Sequence, residues 1–110
     1  MANLDRLQIL RDFIKEEPEN PFNYYALALE LRDKDREEAE DLFSFLLLNH
    51  SDYLPVYFPA AHFFGEHDQI QKSREIFEKG IVLAEFQKEE KTLKELKNAF
   101  QNFLFENDLD

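Results

Sequence analysis

The chain has no cysteine, so disulfides and thiolate metal sites are excluded and a reducing compartment is permitted. Tryptophan is absent too, and only 2 glycines and 4 prolines occur among 110 residues. So few turn-formers argue against a fold of many short strands and suit long helices. The glycine-rich phosphate loop and the glycine-flanked nucleophile turn are also missing, which removes most motif-borne catalysis. No apolar run approaches the roughly 18 residues of a membrane span. The first residues lack the basic-then-apolar order of a secretory signal, so a cytoplasmic location is expected. Bases are scarce as well. The 13 Lys and Arg stand against 24 Asp and Glu, for a net charge of −11. That balance repels phosphate, so neither nucleic acid nor an anionic membrane is expected as a partner. The imbalance is local: ten acids lie in residues 16–41, whereas seven bases face six acids over residues 69–97.

What is present reads as helix around an aromatic-rich core, with 12 Phe and 4 Tyr in a chain that is 44% hydrophobic. Leu4, Leu7, Leu10, Phe13 and Ile14 predict a first helix over about residues 3–17. Pro18 and Asn20-Pro21 end it, and Asn20 is placed to cap the next helix with Pro21 in its first turn. That second helix runs to about Leu31. Ala39, Leu42, Phe43, Leu46 and Leu47 mark a third, and Ser51 or Asp52 offers the cap that follows it. Tyr57, Ala60, Ala61 and Phe64 mark a fourth, started by Pro55, with Pro59 expected to remove one of its hydrogen bonds. Gly65 to Asp68 closes it. Ile70, Ser73, Phe77, Gly80, Ile81 and Ala84 line a fifth. Leu93, Leu96, Phe100, Phe103 and Leu104 line a sixth over about residues 91–106, with Thr92-x-x-Glu95 as its expected capping box.

Two stretches of this pattern superpose. Tyr24-x-x-Leu27-Ala28-x-x-Leu31 leads to Ala39-x-x-x-Phe43, and Tyr57-x-x-Ala60-Ala61-x-x-Phe64 leads to Ser73-x-x-x-Phe77. From Ala39 to Ser73, and from Phe43 to Phe77, is a step of 34 positions. That is the tetratricopeptide (TPR) repeat length, and these residues resemble the TPR superfamily. The segments Pro21-Phe22, Tyr25 to Glu30, Asp52 to Pro55, Ile76 to Ile81 and Lys91 to Leu96 look like those of small single-domain bacterial TPR proteins. The resemblance implies an all-α, right-handed array of antiparallel hairpins in a single domain spanning residues 1–110. A half repeat comes first, then repeat one over about residues 21–50 and repeat two over about residues 53–87. A capping helix closes the array. The helix order is B–A–B–A–B–A, with A helices inside and B helices outside. Small residues (Ala28, Ala39, Ala61, Ser73, Gly80) sit where hairpin helices approach, and Tyr24, Phe43, Tyr57, Phe64 and Phe77 fill the gaps. The chain departs from the pattern in a first turn one residue short, and in Ser73 where alanine is usual.

The candidates for chemistry are few. His62 and His67 are five apart, which does not stack them on one helix face, and Glu66 with Asp68 adds too little for zinc. The acids Glu37, Glu38, Glu40 and Asp41 lack the spacing of a calcium loop and read as a solvated helix face. No metal or cofactor is expected, and the chain does not read as an enzyme. Lys88, Lys91, Lys94 and Lys97 recur every third residue, as a solvated face or as a basic strip. Lys94 and Asn98 resemble part of the clamp by which some TPR domains hold a terminal carboxylate. The equivalent positions, Tyr25 with Leu29 and Phe58 with His62, cannot serve that role.

The TPR frame implies an aromatic concave groove formed by Phe22, Tyr25, Leu29, Phe58, His62, Lys94, Asn98 and Gln101. Aromatic side chains in a groove point to a protein or peptide partner, held as a peptide or helix. Self-association through the same face, giving a homodimer, stays open beside it. A small ligand held by His62 and nearby tyrosines is a third alternative.

Overall fold

The computed structural model describes the backbone of residues 2–109 and the side chains of residues 5–109, so the Leu4 side chain of the first apolar stripe lies outside the described residues. Among the described residues the regular structure is six α-helices and one short 3-10 turn, with no strand. The elements fall into two compact units, residues 1–56 and residues 57–110.

The first unit holds α1 (Ala2–Glu16), α2 (Pro21–Leu31) and α3 (Arg36–Asn49), followed by the 3-10 turn Leu54–Val56. Asn20 caps α2 as its side-chain oxygen accepts from the Phe22 N–H at 3.0 Å, and Pro21 occupies the first helical turn, where a missing N–H costs nothing. Asp35 caps α3 through the Glu38 N–H at 3.1 Å. The apolar faces of α2 and α3 meet in a core of Leu27, Ala28, Leu31, Ala39, Phe43 and Leu46, closed by Leu54 and Val56. Tyr24 stacks on Phe45 with centroids 4.8 Å apart and donates its hydroxyl to the Pro18 carbonyl at 2.8 Å, tying the α1–α2 turn to α3. Helix α1 packs mainly on α2, with Leu7, Leu10 and Ile14 half-buried while Phe13 stays 46% exposed. Ion pairs add to this packing. Arg6 meets Glu30 at 3.0 Å, and Arg11 forms a two-pronged pair with Glu38 at 2.6 and 2.9 Å. Those hydrogen bonds from Arg11 hold the Glu38 carboxyl below its ordinary value, against a smaller opposing effect of burial.

The second unit holds α4 (Tyr57–Glu66), α5 (Ile70–Gln87) and α6 (Glu90–Glu106). Helices α4 and α5 meet along small residues. The Ser73 hydroxyl donates to the Ala61 carbonyl at 2.6 Å, and Ala60, Ala61, Ser73, Gly80 and Ala84 are all buried. Gly80 lies under the Tyr57 ring. A β-carbon there would sit 2.9 Å from the Tyr57 Cβ, closer than carbon atoms pack. Helix α6 docks through Leu96, Phe100 and Phe103, the two rings meeting Phe77 of α5 at 5.4 and 5.3 Å.

Two expectations about helix ends change, and a third is refined. Helix α4 begins at Tyr57 and Pro55 belongs to the preceding 3-10 turn, so Pro59 falls in the first turn of α4. The N–H groups of that turn have no intrahelical acceptor, and proline there removes no bond. The stretch Gly65 to Asp68 closes α4 as expected, with Gly65 still helical and Asp68 in the left-handed turn at φ 63, where the Gln69 N–H donates to the Phe64 carbonyl at 2.9 Å. Gly65 is small because a β-carbon would press on the Ser73 hydroxyl at 3.2 Å. Finally, α6 starts at Glu90, which puts Thr92 inside the helix, where it caps nothing.

Two measurements check these contacts. Gly80→Ala gains about 1 kcal/mol of helix propensity, but overpacking against Tyr57 costs about 1–3 kcal/mol. Chemical denaturation should therefore show a net loss, and a more stable variant would mean that α4 and α5 can move apart at no cost. Glu38→Gln should lower stability by about 0.5–1 kcal/mol at neutral pH. Because the folded-state carboxyl is the stronger acid, that difference should fade as the pH falls below about 4. A pH-independent difference would contradict the ion pair.

Candidate functional site

Each unit presents its own candidate surface. In the first, α2 carries Phe22, Tyr25 and Leu29 at helical spacing. Phe22 is 55% exposed, and Leu29 is half-buried. Tyr25 leans on Tyr53, which follows α3, in an edge-on contact with centroids 5.7 Å apart. Burial pushes both phenols up in pKa, with Arg32 opposing at Tyr25 and Tyr25 adding to the rise at Tyr53. Both therefore stay neutral at physiological pH, with the hydroxyl able to donate and accept a hydrogen bond.

The second unit holds a cleft of about 410 Å³ between α4 and α6, floored by α5. Its floor is apolar and aromatic: Phe77 from α5, Ala61 and Gly65 from α4, Ala99 and Phe103 from α6. The origin of the cleft is a ring cluster. Phe77 touches Phe58 at 6.5 Å as well as Phe100 and Phe103, so the rings wedge α6 into place beside α4. Phe58 tops the cluster with 43% of its surface exposed. Polar side chains form the rim: His62 and Glu66 from α4, Asn102 and Glu106 from α6, and Asn107 after it. His62 and Glu66 stand 3.5 Å apart, one turn from each other.

The other groups with chemical potential are committed to structure. The Ser73 hydroxyl is buried and bonded to Ala61. His67 pairs its Nδ1 with the Phe63 carbonyl at 2.7 Å, and its ring packs on Phe63 at 4.4 Å. Among the described residues no three His, Asp or Glu side chains come together as metal ligands. Among the described residues no helix is long and apolar enough to cross a membrane.

Of the residues expected in a groove, the structure brings Phe58 and His62 to this cleft. It puts Lys94 and Asn98 in a shallower depression of about 300 Å³ with Glu90, Leu93 and Lys97. Gln101 lines a third, beside Leu104, Phe105 and Leu109. Sequence reasoning missed Ala99, Asn102 and Glu106. They form one stripe with Phe103 at three- and four-residue steps, a signal that was present, but only the docking of Phe100 and Phe103 on Phe77 aims that stripe at α4.

With this geometry the chain matches a solved structure. The solution NMR structure of a tetratricopeptide repeat domain protein from Salinibacter ruber aligns with a TM-score of 0.73 and 30% sequence identity, covering 79% of this chain and 89% of that one. The chain belongs to the tetratricopeptide repeat family. No family model and no curated protein matches the sequence.

Thermal unfolding with and without a strong chelator should coincide, since a structural zinc site needs four ligands. A loss of stability on chelation that zinc reverses would show that His62 and Glu66 recruit further ligands.

Proposed function

We propose that this chain is a non-catalytic protein-interaction module that holds a peptide or helix against aromatic side chains of its inner helices. Tetratricopeptide folds are interaction scaffolds in general and typically carry no catalysis. The observation that carries the finer reading is the cleft between α4 and α6. A phenylalanine held 43% open above a floor of further rings is costly to leave wet and is well suited to receive an apolar side chain. Phe58 and His62 are its contacts. Phe22, Tyr25 and Leu29 offer a second aromatic surface on α2, and Lys94, Asn98 and Gln101 extend the contact surface along α6. Cytoplasmic work suits a chain without cysteine.

Self-association, expected through the same inner face, is the second reading; Phe86 and Phe105, which lie outside the cleft and are 83% and 85% exposed, add apolar surface that a dimer can cover. Light scattering across a concentration series separates the two. A monomer at every concentration supports the open cleft, and a dimer broken by Phe86→Ser or Phe105→Ser supports self-association.

Phe58→Ala should change folding stability by about 1 kcal/mol, as partly exposed positions do. It should weaken peptides selected against the wild-type chain by more than about tenfold, as loss of an aromatic anchor does. Phe77→Ala should do the reverse to stability, costing about 3–5 kcal/mol through a core cavity. Selected peptides that bind Phe58→Ala as well as the wild type would place the binding surface elsewhere.

A further inference from the structure

The rim of the α4–α6 cleft has a charge of its own. Its lining includes two carboxylates, Glu66 and Glu106, and neither lysine nor arginine. Among the described residues Glu66 is answered by His62 alone, at 3.5 Å, a partner that carries charge only when protonated. Glu106 has no ion-pair partner among the described residues. Asn107 donates its side-chain amide N–H to the Phe103 carbonyl at 2.8 Å, so its own side-chain oxygen remains as an acceptor at the rim. The exposed Phe58 ring adds the negative face of an aromatic quadrupole. Every polar feature except His62 and the Asn102 amide is therefore suited to a cation.

None of the lysines and arginines of this unit lines the cleft. Lys72 sits over the Phe64 ring at 4.2 Å, and Arg74 pairs with Glu78 at 3.7 Å. Lys94 and Lys97 line the separate depression on α6. The negative character of the cleft is thus local, and more than a reflection of the chain's net charge of −11.

We propose that this cleft selects a cationic amphipathic segment of a partner protein. The segment's apolar side chains lie on Phe58, Phe77 and Phe103, and a lysine or arginine reaches the carboxylates of Glu66 and Glu106. This deepens the interaction reading above and depends on it. A volume of about 410 Å³ takes a few side chains, so one face of the segment docks and the rest stays in water. An acidic segment with the same apolar face meets the carboxylates of Glu66 and Glu106 with no lysine or arginine in the lining to offset them, and is repelled.

The test uses the full chain and two synthetic amphipathic peptides of about 18 residues, long enough to become helical when bound. Both have leucine and phenylalanine on one face. One has lysine on the other face, and its counterpart has glutamate. Titration calorimetry should show the lysine peptide binding about tenfold tighter, the factor that two exposed ion pairs supply. The E66Q/E106Q variant should lose most of that preference. The E37Q/D41N variant, with the same charge change on α3, should keep it. Equal binding of the two peptides overturns the proposal, as does a preference that survives E66Q/E106Q or vanishes equally in E37Q/D41N. In those cases sensitivity of both peptides to Phe58→Ala would leave the interaction reading standing. If neither peptide binds the wild-type chain, the interaction reading of the cleft fails, and this proposal with it.

Discussion

The Ser73 hydroxyl reaches the Ala61 carbonyl at 2.6 Å because α4 and α5 run nearly backbone to backbone, and the arrangement of the second unit follows from that closeness. Gly65 above Ser73 and Gly80 beneath Tyr57 keep the helices together on either side of this contact. Where two backbones are so near, large side chains have no room between them. Phe77 accordingly gathers with Phe58, Phe100 and Phe103 at the junction of three helices. That cluster anchors α6 and leaves a cleft beside α4. Serine at position 73 adds a buried hydrogen bond where the repeat pattern usually has alanine, and its hydroxyl is fully satisfied there.

The first unit solves a different problem. Its hairpin closes around Phe43 and Leu46, while the apolar side chains of α1 are only partly covered, with Ile9 and Phe13 about half exposed. Two ion pairs and the Tyr24 hydroxyl hold the turn and the outer helix. Exposed pairs contribute about 0–1 kcal/mol each, far less than burial of a phenylalanine. The part of α1's attachment that comes from these pairs varies with salt and pH.

Several of the hydroxyl and imidazole groups are tied to the fold. Tyr25 and Tyr53 are driven toward the neutral form by burial. Ser73 and His67 are occupied by main-chain carbonyls. What remains accessible at the cleft is a set of rings with a polar rim, and such a set can discriminate between partners by shape and charge without reacting with them.

Much of the fold was legible in the sequence, because helix formation and hairpin closure depend on residues near one another. Ala39, Phe43, Ser73 and Phe77 sit where the 34-residue step placed them, and they are buried together with Ala28 and Ala61, which are 33 positions apart because the first turn is one residue short. Asn20-Pro21 announced the start of α2 as plainly as any structure could. Asp35 carried a similar signal, with Glu38 three residues on. Tertiary structure decided the rest. The start of α4 two residues beyond Pro55 made Pro59 harmless, and the role of Gly65 depends on a serine from the next helix. The site was the least legible part. Which stripe of α6 faces α4 is set by how Phe100 and Phe103 lodge against Phe77. Periodicity along one helix fixes which residues share a face, but the direction of that face depends on the helices it packs against.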